Sequence, residues 1–139
     1  MKTRFDYLKE MDINTEWLNR STDNSSLTNP KKKSLATLKD EVSDCNKCML
    51  ASTRDKIVFG SGSLESKLMI IGEAPGKDED LMGEPFVGRA GKLLDEILFS
   101  MSVTRENVYI TNTVKCRPPQ NRNPLLEEIK SCSDYLNQQ

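Results

Sequence analysis

Apolar residues along this 139-residue chain follow a helical period in four segments and form short unbroken runs in three others. Residues 1–20 carry Phe5, Leu8, Met11, Ile13, Trp17 and Leu18 at the spacing of a short amphipathic helix, read as an appended arm. A Ser/Asn-rich stretch closing on Lys31, Lys32 and Lys33 follows. It predicts a solvated linker, with contact to a DNA backbone as the alternative for the lysines. The domain proper is then 34–139. Its first helix runs from Ser34 to about Asp44 through Leu35, Leu38 and Val42. Runs at 56–60 (KIVFG), 67–71 (KLMII) and 108–112 (VYITN) predict strands. Between the last two, Leu93, Leu94, Ile97, Leu98 and Met101 make the stripe of a helix over 90–101, packed on a sheet. Asn123 as N-cap and Pro124 at the first helical position open a final helix through Leu125, Ile129 and Leu136. Strand, helix, strand, helix implies a parallel α/β sheet. No internal repeat is present. Two or three strands share the core, so an incomplete domain is expected.

Composition narrows the function classes. With 36% hydrophobic residues the chain supports one modest core, and its net charge of −1 gives no global attraction to nucleic acid or membrane. Contact with DNA would need a local basic patch. No run approaches the roughly 18 apolar residues of a membrane span, and the polar N-terminus lacks a signal-peptide core. The expected location is the cytosol, where four cysteines read as metal or redox ligands before disulfides. Histidine is absent.

The cysteines fall as Cys45-x2-Cys48, then Cys116-x15-Cys132. The close pair puts two thiolates within reach of one centre, and the distant pair completes four ligands. Zinc fits the ligand count, although zinc ribbons repeat the short spacing and x15 does not. An iron–sulfur cubane is larger and accepts ligands from scattered segments. Unligated structural thiols are the third alternative.

The stretch GEAPGKDEDLMGEPFVG, 72–88, packs four glycines, two prolines and five carboxylates into seventeen residues directly after a predicted strand. Such a turn usually cradles phosphate, but this one would repel it. Gly91-Lys92 lacks the glycine five residues earlier and the Ser/Thr after the lysine that a phosphate loop needs. Gly60-Ser-Gly62 lacks the third glycine of a dinucleotide fingerprint. The loop sits at the carboxyl end of a strand, where open α/β sheets bind ligands. Its chemistry suits an uncharged planar ligand: backbone amides for ring carbonyls, Phe86 to stack, and a carboxylate to poise water or stabilise a cation.

The motifs GEAPGKDEDLMGEPFVGRAGKLLDEIL and VYITNTVKCRPPQNRNP, with the four-cysteine frame, resemble family 4 uracil-DNA glycosylases, the iron–sulfur type. The resemblance runs from about Leu35 to the end of the sequence. It implies a three-layer α/β/α fold with a parallel sheet and a [4Fe-4S] cluster on Cys45, Cys48, Cys116 and Cys132. It also implies a flipped-base mechanism on uracil-containing DNA. Gly72 and Ala74 would offer backbone contacts to uracil. Glu73, with Glu79 as a second candidate, would be the catalytic carboxylate that orients water and stabilises the oxocarbenium-like sugar. Phe86 would stack on the base and Asn112 would read its edge. Lys115, Arg117 and Arg122 would form a basic patch for the DNA backbone.

Each role has a plainer alternative. Glu73 would cap the following turn, and Glu79, like Asp78, Asp80 and Glu84, would be a solvated loop acid. Phe86 would be ordinary core, Asn112 would bind backbone at a strand end, and the arginines would be solvated charges. The resemblance also implies further strands and a His-Pro motif, which this chain does not contain. The expectation is therefore a truncated domain, with a separately encoded C-terminal half as a candidate partner. The competing function is a non-catalytic iron–sulfur module that binds nucleic acid or a partner, and the weakest reading is a decayed product that does not fold stably.

Overall fold

The computed structural model describes residues 34–63 and 65–139; the arm helix and linker expected over 1–33 lie outside the described residues. Helix α1, Leu35–Ser43, starts at Ser34, whose Oγ accepts from the Thr37 amide at 3.2 Å. Its Leu38 and Val42, four apart on one face, are buried. In the run 56–60 the Val58 amide donates to the Lys115 carbonyl at 2.9 Å. The strand expected over 56–60 does not form, because the facing segment 113–116 is irregular and offers no ladder; strand β1, Ser61–Gly62, follows it instead.

Strands β2, Met69–Gly72, and β3, Tyr109–Asn112, pair in parallel from Met69↔Tyr109 to Gly72↔Asn112. Strand β1 pairs with β3 antiparallel, giving the order β1-β3-β2. The α/β class and the parallel pair therefore agree with the sequence, while the sheet as a whole is mixed. All four residues of the central strand β3 are buried.

Two further helices lie between β2 and β3. Helix α2, Lys77–Met82, was not expected: its segment was read as turn. Asp78, Glu79 and Asp80 occupy its first turn, where carboxylates favour the helix dipole, and it ends at Gly83 with φ +79°. Helix α3, Arg89–Ser100, matches the apolar stripe, but the stripe is only partly covered. Leu98 is buried and Leu94 half-buried, whereas Leu93 and Ile97 remain about half exposed among the described residues.

The last helix, α4, is Leu126–Gln138 with Leu125 as its N-cap, two residues later than Asn123 predicted. The reason is Glu128. Its carboxylate accepts from the Leu125 amide at 2.7 Å and from both terminal nitrogens of Arg122 at 2.9 and 2.6 Å, holding 122–125 outside the helix.

Helices cover both faces of β3. On one, Leu98 of α3 packs with Val108 and Ile110, joined by Ile70, Leu94 and Phe86. On the other, Thr111 donates to the Phe59 carbonyl and Tyr109 Oη accepts from Gln139 just past α4, while Phe59 packs with Leu38 and Val42 of α1 and Tyr135 of α4. A third cluster of Leu50, Val114 and Cys116 closes the end of the domain beside Ala74 and Ile129. No described helix is long and apolar enough to cross a membrane.

Candidate functional site

The carboxyl ends of β2 and β3 deliver Gly72 and Asn112 side by side in register. Beyond them the chain diverges, leaving two adjoining clefts of about 360 and 420 Å³. Both are lined by Ala74, Gly76, Phe86, Asn112 and Asn121; Gly72 and Glu73 line one of them, Asp78 and Glu79 the other.

Gly72 makes the convergence possible. A Cβ at this position would fall 2.3 Å from Asn112 Oδ1 and 2.7 Å from Phe86 Cζ. The ring and the amide thus occupy the space that any other residue would fill. Asn112 is only 2% exposed. Its main-chain carbonyl accepts from Lys115 Nζ at 2.7 Å, but its side-chain amide bonds to no described residue and borders both clefts. No buried side-chain nitrogen or oxygen lacks a partner among the described residues, so the amide atoms open onto the clefts and hold hydrogen-bonding capacity there.

The acidic loop resolves into distinct jobs. Glu79 uses both carboxylate oxygens on the backbone: Oε1 accepts from the Val87 and Gly88 amides at 3.0 and 2.8 Å, and Oε2 from Gly76 at 3.0 Å. It ties the two ends of the loop together. Asp80, expected to be solvated, is 1% exposed and accepts from the Asp55 and Lys56 amides at 3.0 and 3.3 Å. The Glu73 carboxylate is exposed at the cleft mouth and makes no hydrogen bond or ion pair among the described residues, while its main-chain carbonyl accepts from Thr113 and Val114. It does not cap the turn that follows it.

The basic patch needs correction. Lys115, expected at the DNA-facing surface, is 1% exposed. It donates to Thr111 Oγ1 and the Asn112 carbonyl, and burial pushes its ammonium down to about 8, against an opposing pull from Cys132. Arg122 lies on the cleft rim but is forked onto Glu128, and Arg117 Nε donates to Asn121 Oδ1 at 2.7 Å. The sequence reading did not single out Asn121, which stands at φ +55° after Gln120 at +56°. Two successive side-chain-bearing residues in the left-handed region push that corner into the cleft. Lys77 and Arg89 also line the rim unannounced. Only their place beside two helix starts could have pointed to them.

A second centre lies on the other side of Lys115. Cys45, Cys48, Cys116 and Cys132 line one largely apolar pocket with Arg54, Lys115 and Tyr135. All four thiols are free, and Arg54 Nη1 reaches both the Cys45 carbonyl at 2.9 Å and Cys116 Sγ at 3.3 Å. Burial pushes the Cys116 thiol up to about 11, partly offset by Arg54, and raises Cys132 as well. Among the described residues no three of His, Cys, Asp or Glu stand close enough to hold a single metal ion. Four thiols around one pocket, with Arg54 and Lys115 beside them, form a donor set of the kind that thiolate-held metal centres use.

Residues 59–139 match the model of the uracil DNA glycosylase superfamily. The chain is 53% identical over 103 residues to a type-4 uracil-DNA glycosylase of Archaeoglobus fulgidus, covering 74% of this chain and 52% of that protein. It is 47% identical over 97 residues to the type-4 enzyme of Thermotoga maritima, covering 70% and 50%. Similarity reaches the type-5 uracil-DNA glycosylase of Pyrobaculum aerophilum at 36% over 93 residues, covering 56% and 41%. The chain spans about half the length of the curated relatives it matches. With the family match spanning more than half of its residues, the chain belongs to the uracil DNA glycosylase superfamily.

Proposed function

We propose that the cleft at the ends of β2 and β3 binds uracil extruded from DNA and that the protein serves hydrolysis of its N-glycosidic bond. The observation that carries this reading is the Asn112 amide, without a hydrogen-bond partner among the described residues and open only where it lines the cleft beside the Phe86 ring. An amide offers one donor and one acceptor along an edge. Uracil presents the complementary pair, O4 accepting and N3–H donating, whereas cytosine presents the reverse. A wrong base leaves both partners unpaired in a dry site, which sustains discrimination on the order of 10⁴-fold.

The remaining roles follow from position. Phe86 supplies the stacking face, and the main chain at Gly72 and Ala74 lies within the same cleft. Glu73, exposed at its mouth, orients the attacking water and stabilises positive charge on the sugar as the bond breaks. Glu79, saturated by three backbone donors, holds the loop rather than touching substrate. Arg122, Lys77 and Arg89 line the clefts and Arg117 is bonded to the lining residue Asn121; these cations would meet the phosphates.

Cys45, Cys48, Cys116 and Cys132 would hold a [4Fe-4S] cluster, with a single zinc as the alternative. When bound, such a cluster supplies a structural tie between the end of α1 and α4. The competing reading is an iron–sulfur module that binds DNA without excising a base.

The deciding experiment measures uracil release from a uracil-containing oligonucleotide together with its binding, against a cytosine-containing control. Release that disappears in Asn112→Ala is expected. Binding of both oligonucleotides with equal affinity and no release would leave the non-catalytic reading standing.

A further inference from the structure

Phe86 stands at φ +56°, a region that residues bearing a Cβ seldom occupy. One residue holds its backbone there. Arg105 opens the short 3-10 turn Arg105–Asn107 just ahead of β3 and reaches back across the loop. Its Nη2 donates to the Phe86 carbonyl at 2.5 Å and to the Gly91 carbonyl at 3.4 Å, and its Nη1 donates to the Pro85 carbonyl at 3.2 Å. From α3, Asp95 Oδ1 accepts from Nε at 2.5 Å and orients the guanidinium. Gly91 completes the arrangement, since a Cβ there would lie 1.7 Å from the Phe86 carbonyl oxygen. The first turn of α3 thus leaves room for that carbonyl, which turns toward Arg105.

We infer that Arg105 is a positioning residue for the stacking ring. Its hydrogen bonds, strengthened by its charge, hold Pro85 and Phe86 in a conformation the loop would otherwise leave, and so fix the ring against Gly72 and Asn112. Backbone and ring are coupled because Phe86 is packed from below by the Leu98, Val108 and Ile110 cluster. A rotation at its φ therefore swings the ring relative to the cleft. A planar fork is required: lysine carries the charge but cannot reach three carbonyls and a carboxylate at once. The inference rests on the reading of the cleft as a uracil site.

The test titrates free uracil into the full chain as wild type, Arg105→Ala, Arg105→Lys, Phe86→Ala and the Arg105→Ala/Phe86→Ala double variant, with thermal unfolding in parallel. Base–aromatic stacking sets the scale, so Arg105→Ala should weaken uracil about ten-fold. Arg105→Lys should lose nearly as much. In the Phe86→Ala background, removing Arg105 should change uracil affinity no further, because its effect passes through the ring. A plain contribution to stability would add its loss in either background. Should Arg105→Ala fail to fold, Asp95→Asn serves in its place, with a smaller loss that again vanishes without Phe86. Unchanged affinity in the single variant, or losses that multiply in the double variant, overturns the inference alone. A wild type without affinity for uracil overturns the reading of the cleft and the inference with it.

Discussion

Phe86 and Asn112 meet above Gly72, so close that a single methyl group there would overlap both the ring edge and the amide oxygen. Gly72→Ala should therefore block the cleft from within. Uracil binding should be lost, and overpacking of this kind costs about 1–3 kcal/mol of stability. Calorimetric titration with uracil, paired with a melting curve, checks both. Undiminished uracil binding by the alanine variant would mean that the ring and amide do not share the ligand.

Glu79→Gln keeps the size of the side chain but removes the charge that three backbone amides now share. The loop should loosen at both ends, with a loss of about 1–3 kcal/mol. Hydrogen exchange at the Val87 and Gly88 amides reads this directly. Slow exchange in the variant would show that the carboxylate is not what secures them.

Asp80 is a separate anchor. Its contacts run to the Asp55 and Lys56 amides, away from the cleft, and it is almost fully buried. Asp80→Ala should lower the unfolding midpoint through unpaired amides, by about 1–3 kcal/mol, while uracil affinity in the folded fraction stays unchanged. A selective loss of affinity at constant stability would contradict this division of labour.

Acid should act through Glu128. The Arg122 guanidinium donates to it and holds its carboxyl below the usual 4.5, against the opposing effect of burial and with help from the Leu125 amide. Because the folded-state value is the lower one, the contribution is complete above the unfolded-state value. It is lost as pH falls through the folded one. Glu128→Gln should flatten the acid side of the melting profile. Parallel wild-type and variant curves between about pH 7 and 3 would rule this out.

Reconstitution with iron and sulfide under anaerobic conditions should give visible absorbance and a higher melting temperature, both reduced by Cys132→Ser. A colourless protein that takes up one zinc with the same thermal gain would instead support the single-ion alternative.

Much of the scaffold is legible in the order of residues. The apolar runs place β2 and β3 within a residue or two, and the stripes place α1 and α3, because burial imposes a period that the chain displays openly. Helix α2 escaped because its signals are charge and a glycine stop, with no apolar period. The start of α4 escaped because an Arg122–Glu128 fork overrides a favourable Asn-Pro cap. Burial of Lys115 could not be read from composition: its hydrogen-bond partners, Thr111 and the Asn112 carbonyl, serve it only once β3 has turned into the following loop. For the same reason Asn121 reaches the cleft through backbone shape, which no side-chain pattern announces.

Lys115 has one consequence for how this domain can change. Its ammonium is bonded to the carbonyl of Asn112, while its neighbour in sequence, Cys116, lines the thiol pocket. The cleft wall and the sulfur-bearing wall are thus two sides of one short piece of chain. Neither can be retuned, transplanted or worn away by mutation without dragging the other along.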